Sequence, residues 1–140
     1  MTPEAYISYK LLSSPEVASV IGDRAYNVFV PKADMVMPFV VFRRGQSNND
    51  STLSAPGPLG MPMTTFFVSA WAETLAGARG LGDAVREALD GQIGTAAGVT
   101  VVSLSLTSEV DDYIDPAPAG AQLPLAYEVR QVFQVRWQRQ

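Results

Sequence analysis

Residues 64–90 read TTFFVSAWAETLAGARGLGDAVREALD, and a change of pattern inside this stretch decides the fold. The first ten residues are rich in aromatic and β-branched side chains, which is typical of a buried strand. From Thr74 onward the apolar residues recur three or four positions apart, which predicts an amphipathic helix with Thr74 as its N-cap. The predicted apolar stripe consists of Leu75, Ala78, Leu81, Val85 and Leu89. A strand that leads directly into such a helix indicates a sheet with helices packed on it.

The remaining elements extend this pattern in both directions. Thr2-Pro3-Glu4 predicts a helix start, Ser14-Pro15-Glu16 restarts a helical turn, and Gly22 ends it. Strands are predicted at residues 24–30, 38–44, 63–73, 99–110 and 127–137, with a turn-rich link at 91–98. We therefore expect one α+β domain over residues 1–140: a single antiparallel-rich sheet of about four to five strands, an N-terminal helix, one long helix packed on the sheet, and two long loops.

Two finer patterns concern packing. In residues 99–110 the alternation places Val102, Leu104 and Leu106 on one face of the strand and Val101 on the other. In residues 127–137 the predicted inner face carries Tyr127, Val129, Phe133, Val135 and Trp137. Gly77, Gly80 and Gly82 fall within the helix pattern, not after a strand as in dinucleotide-binding loops. These glycines indicate close packing of the helix on the sheet.

Composition excludes several classes of function. The 140 residues are 47% hydrophobic and 17% charged, with a net charge of −4 and a pI near 4.6, so tight nonspecific binding of nucleic acid is not expected. The chain has no cysteine and no histidine, which removes thiol chemistry and the usual neutral-pH proton carrier. No signal peptide or membrane span is evident, and we expect a soluble protein without enzyme activity, cofactor or metal.

The charges fall into two groups of opposite sign. Glu109, Asp111, Asp112 and Asp115 form an acidic cluster, whereas Arg130, Arg136 and Arg139 make the C-terminal region basic. One interpretation is head-to-tail self-association through complementary patches, and the other is a pair of ordinary solvated faces. A carboxylate metal site is disfavoured, because adjacent residues on a strand point to opposite faces.

Two connections are long for a domain of this size. Residues 47–62 contain Leu53, Leu59 and Met61, and residues 113–125 contain Ile114 and Leu123. A purely solvated loop does not need such apolar side chains. The two alternatives are arms that contact a partner and loops that fold over the edges of the sheet.

The order and spacing of several landmarks carry a resemblance to a known family. These landmarks are Leu11-Leu12, Pro15, Val17, Ile21-Gly22, Arg24, Val30-Pro31, residues 38–42, Trp71 to Thr74, Ala84-Val85, Ala88-Leu89 and the closing strand 127–137. Together they resemble the tail-completion, or tail terminator, proteins of long-tailed bacteriophages and related prophage and gene-transfer particles. The apolar stretch 32–37 and the proline-rich second half of residues 47–62 depart from that pattern.

The resemblance implies a virion protein assembled in the bacterial cytoplasm, without catalytic residues. Such a subunit would form a ring, usually six-fold, that ends the tail tube and docks on the head connector. Its partners would be itself, the tail tube protein and neck proteins, and DNA would pass through without specific binding. The alternatives are another neck component, such as a head-closure or adaptor protein, and a small α+β ligand-binding domain or enzyme.

Overall fold

The computed structural model describes residues 2–28, 30, 36–48, 62–114 and 126–139 of the chain. In chain order the described elements are α1 (Pro3–Ser13), α2 (Pro15–Ile21), β1 (Ala25–Asn27), β2 (Phe39–Asn48), β3 (Met63–Ala72), α3 (Leu75–Leu89), β4 (Gly94–Ala96), β5 (Val99–Ile114) and β6 (Ala126–Arg139).

The described strands form one six-stranded mixed sheet in the order β1-β2-β3-β6-β5-β4. β1 pairs with β2 in parallel, and the other neighbours pair in antiparallel fashion. The expected sheet of four to five strands with an N-terminal helix and one long helix is therefore wrong. The additional strand, β4, has three residues, Gly94 to Ala96, which is too short to show an alternating pattern.

The helices also differ from the expectation, because the described residues form three of them, with 11, 7 and 15 residues. Ser14 ends α1 and caps α2: its hydroxyl oxygen accepts a hydrogen bond from the Val17 N–H at 3.4 Å. Pro15 follows at the first position of α2, where a missing N–H costs nothing. The sequence predicted a new helical turn at Ser14, and in the structure this residue separates two distinct helices.

α3 confirms the pattern of the opening stretch. Its N-cap is Thr74, whose hydroxyl oxygen accepts from the Gly77 N–H at 3.0 Å. Ala78, Leu81, Val85 and Leu89 are buried on its inner stripe. The helix begins where the strand ends because the period of the apolar residues changes from two to 3.6 at that point.

The helices contact the sheet on one face, and the core lies between them. β3 alternates strictly along its length, and its buried face carries Thr64, Phe66, Val68, Ala70 and Ala72. On β6 the buried face carries Val129, Gln131, Phe133, Val135 and Trp137. The predicted apolar face of β6 is confirmed, but the prediction did not include Gln131. The amide Nε2 of this buried residue donates to the Gly82 carbonyl oxygen at 2.8 Å.

A β-bulge corrects the predicted faces of β5. The pairing with β6 shifts register between Val101 and Ser103. Val99, Val101 and Leu104 are buried, whereas Val102 is 42% exposed. The prediction that Val102 shares a face with Leu104 is wrong, because the extra residue reverses the alternation at that point.

Candidate functional site

The described members of the acidic cluster lie on β5, where Glu109, Asp111 and Asp112 are register partners of Gln131, Val129 and Glu128 of β6. Asp111 contacts Arg79 of α3, with 2.6 Å between carboxylate oxygen and Nη2. Glu109 lies 4.0 Å from Arg86 of the same helix. Both carboxylates therefore lie on the helix side of the sheet.

Asp112 points to the opposite side, as expected for the neighbour of Asp111 on a strand. Its carboxylate lies 3.8 Å from Nη2 of Arg130, which also donates to Glu128 at 3.0 Å. The hydrogen bond and attraction of Glu128, with a smaller contribution from Asp112, raise the pKa of Arg130. Glu128 is only 4% exposed, so its carboxylate is buried together with a permanent cationic partner, Arg130.

A basic segment lies at the opposite side of the sheet, on β2. The Arg44 guanidinium donates to both carboxylate oxygens of Glu4 on α1, at 2.7 and 2.8 Å. Partial burial raises the pKa of Glu4, but the hydrogen bonds and charge of Arg44 outweigh it and leave that pKa below its ordinary value of 4.5. Arg43 points the other way and lies 4.8 Å from the centre of the Phe67 ring. The sequence predicts no role for these two arginines, although they stand out as a pair of charges directly after the apolar run 38–42.

The face of the sheet away from the helices carries an apolar groove of about 470 Å³. Its floor includes Phe39 and Val41 of β2 and Phe67 and Trp71 of β3, with the Phe39 and Trp71 rings stacked at 6.3 Å. Val28 borders it and is 61% exposed. The sequence signal for this surface was the run PFVVF at 38–42, which is apolar on both faces of its strand.

Several predicted contact residues lie outside the described part of the chain: Leu53, Leu59, Met61, Asp115 and Leu123. Ile114 ends β5 and Arg139 ends β6, but their side chains fall outside it as well. Arg136 is half-buried on the interior strand β6, in register with Ser103 and Met63. Its register therefore places Arg136 away from the described carboxylates of Glu109, Asp111 and Asp112, which lie beside Arg86, Arg79 and Arg130.

The acidic side chains described on β5 all lie beside arginines. Such paired charges are suited to contact with another protein surface. In the ranges that the structure covers, no three acidic side chains converge as metal ligands would. No helix in those ranges has the length and apolar character of a membrane span. What these surfaces offer is charge of opposite sign at two sides of the sheet and an apolar groove on its open face.

Comparison with known proteins adds to this geometry. Residues 5–131 match the family of tail completion protein gp17. Among solved structures 18 chains match, including one described as "Virion of native gene transfer agent (GTA) particle". That chain superposes with a TM-score of 0.65 at 18% identity, over 94% of this chain and 90% of its own length, which shows a shared fold. Among curated proteins, none matches.

Proposed function

The chain belongs to the tail completion protein gp17 family, and from this membership we propose that it is a ring-forming subunit at the head-proximal end of a virion tail tube. Its general role is that of a structural protein of a tailed virion. The ring would stop polymerisation of the tube and offer a docking surface to the head connector. The observation that carries the proposal is the family match, which spans 127 residues, from 5 to 131.

The charge distribution supports self-association in a ring. Carboxylates concentrate on β5, towards one side of the sheet, and arginines lie on β2, towards the other side. A ring joins two different surfaces of one subunit, so complementary surfaces at opposite sides favour it over a two-fold dimer. A net charge of −4 also suits a conduit through which DNA passes without adhering.

We propose no enzymatic role. The acidic side chains described on β5 are engaged by arginines, and the chain contains no histidine or cysteine. A structural subunit needs surfaces that bind, and both the charged edges and the apolar groove provide them.

The two long connections are proposed as arms that contact the tube or a neighbouring subunit. Leu53, Leu59, Met61, Ile114 and Leu123 would supply apolar anchors, and full burial of one such side chain is worth about 1.5–3 kcal/mol. Asp115 would add to the acidic cluster, and Arg136 or Arg139 would meet carboxylates of a neighbour. Deleting Thr52 to Gly60 tests the arm, since heads and tails should then fail to join. Normal infectious particles from that deletion would exclude the arm.

The ring itself is tested with purified protein and tail tubes from a particle that lacks this subunit. We expect light scattering to report a multimer, and electron microscopy to show added density at one end of each tube, with tube lengths no longer increasing. A protein that stays monomeric and leaves tube growth unchanged would contradict the proposed function.

A further inference from the structure

The side of β5 that faces away from β6 begins with a very short neighbouring strand. Gly94 to Ala96 of β4 are the register partners of Val99 to Val101 of β5. Backbone groups on the side of a strand are sites to which a strand of another chain can add, unless the protein itself occupies them. A strand as short as β4 is one means by which natural sheets limit such addition.

The turn that ends α3 occupies the next backbone groups on the same side of β5. The Gly91 N–H donates to the Leu104 carbonyl oxygen at 2.7 Å, and the Leu106 N–H donates to the Asp90 carboxylate at 2.9 Å. The carbonyl of one residue and the N–H two positions later point to the same side of a strand, so an added strand would need these same two groups. Both are already used within the subunit.

The position of this turn is fixed by contacts on both of its sides. The Gln92 N–H donates to the Leu89 carbonyl oxygen at 3.1 Å, which continues the turn from the end of α3. The Lys10 ammonium donates to the side-chain oxygen of Gln92 at 3.3 Å, which connects the turn to α1. Gly91 has a φ of 79°, a conformation that residues with a side chain rarely adopt. The contact with β5 is therefore built into the local sequence and into the packing of α1.

A β-bulge follows directly after the residues that the turn covers. The register between β5 and β6 shifts between Leu106 and Ser108, on either side of Thr107. The Thr107 hydroxyl donates to the Val132 carbonyl oxygen of β6 at 3.0 Å. A bulge disrupts the regular spacing of backbone groups and increases the local twist, which also hinders addition of a strand.

From these observations we infer that the subunit closes the side of β5 remote from β6 over residues 99–107, and that Asp90 is the residue that keeps a strand of another chain from pairing with Leu106. The short β4, the turn after α3 and the bulge at Thr107 succeed one another along that side. Strand addition has no inherent end, because each added chain presents a new strand side. This role concerns the subunit itself and does not depend on the proposed ring.

Hydrogen exchange of one amide tests the contact directly. Asp90→Ala removes the acceptor of the Leu106 N–H, so NMR should show this amide exchanging about two- to tenfold faster than in the wild type. Asp90→Asn keeps a side-chain oxygen at the same place and should exchange near the wild-type rate. Asp83→Ala is the matched control, because it removes a carboxylate from an exposed position of α3 without touching β5.

Self-association of the same four proteins tests the consequence. After melting curves have shown that each is folded at the working temperature, concentrated samples are followed by thioflavin fluorescence and sedimentation. We expect Asp90→Ala to form sheet-rich assemblies several times faster than the wild type, Asp90→Asn or Asp83→Ala. Within those assemblies the Leu106 amide should exchange slowly again, because the added strand supplies a new acceptor.

Several results would overturn the inference. A wild-type Leu106 amide that exchanges as fast as in an unfolded chain would show that Asp90 does not occupy it, and this measurement needs no variant. Association of Asp90→Ala at the rate of Asp83→Ala would show that Asp90 does not limit strand addition. Assemblies in which the Leu106 amide still exchanges rapidly would show that the chains meet through another surface.

Discussion

Gly80 and Gly82 lie two positions apart on α3, yet the structure gives them opposite roles. A Cβ added to Gly82 would lie 2.9 Å from Cγ1 of Val129, whereas one added to Gly80 would meet nothing within 4 Å. The sequence grouped Gly77, Gly80 and Gly82 as close packing, which is confirmed at Gly82 and wrong at Gly80. The spacing of these glycines does not show which of them faces the sheet, because a residue without a side chain adds nothing to the apolar pattern.

This difference predicts a matched pair of variants. Gly82→Ala should destabilise the fold by about 1–3 kcal/mol, because Val129 and the helix must separate. Gly80→Ala should stabilise it by up to about 1 kcal/mol, because alanine is the better helix former and the space is open. Thermal melting of both variants measures the two effects. Equal shifts of the same sign would show that α3 does not approach β6 as described.

Tyr6 is a second residue where the structure makes a definite prediction. Its ring is fully buried, and its hydroxyl has no hydrogen-bond partner in the described part of the chain. Burial also raises the pKa of that hydroxyl. Tyr6→Phe removes the unsatisfied group and keeps the ring, so we expect unchanged stability or a gain of about 1 kcal/mol, measured by denaturant unfolding. A loss of more than 1 kcal/mol would indicate a partner for the hydroxyl.

Among the elements, the sequence predicted best where one face is buried over many residues. α3 and the apolar face of β6 follow their periods closely because each packs against the same core along its whole length. β4 escaped prediction because three residues carry no period. The faces of β5 were predicted wrongly because of the bulge near Val102. The bulge depends on how β5 pairs with β6, and the local sequence does not specify that pairing.

The ion pairs within the subunit were predicted only in part for the same reason. Glu109, Asp111 and Asp112 were recognised as a cluster because they are close in the chain. Their partners Arg79 and Arg86 lie on α3, and Arg44 meets Glu4 across 40 positions. Such pairs arise from packing α1 and α3 on the sheet, which a one-dimensional pattern does not specify.

The packing of α3 is tested by Val85→Asp. Val85 is fully buried in the core between helix and sheet, so an aspartate there would be a buried charge without a partner. We expect a loss of several kcal/mol in the free energy of unfolding. Ala76→Asp, at an exposed position in the first turn of α3, adds the same charge at the surface, so it is the control and should melt near the wild type. Similar melting of both variants would contradict the placement of the helix.

The contact of α1 with β2 should depend on pH. Because the pKa of Glu4 is lower in the folded protein than its ordinary value of 4.5, the Glu4–Arg44 pair stabilises the fold above that pH. The contribution is lost as the pH falls through the lowered pKa. We expect Glu4→Gln to cost roughly 0.5–1 kcal/mol at pH 7 and little at pH 2. Glu87→Gln, at an exposed position of α3, is the control. A Glu4→Gln deficit that persists unchanged in acid would contradict this linkage.

For the whole molecule, opposite charges at the two sides of the sheet predict salt-sensitive assembly. Raising the salt from about 0.1 M to 1 M shortens the screening length from about 10 Å to 3 Å and weakens exposed charge pairs. We expect the mass measured by light scattering to fall towards the monomer over this range. Melting of the subunit should change little, because its core is apolar. Assembly that strengthens with salt would instead indicate an interface dominated by apolar contacts.

The hairpin of β2 and β3 has a consequence for how this protein can diversify. Asn48 and Met63 are register partners, so the chain leaves the sheet and re-enters it at points only about 5 Å apart. Residues 49–61 therefore connect two neighbouring positions of the sheet. Doubling the length of such an insertion costs only about 0.6 kcal/mol in closure entropy. The number of residues between Asn48 and Met63 can therefore change at little cost to the stability of the sheet.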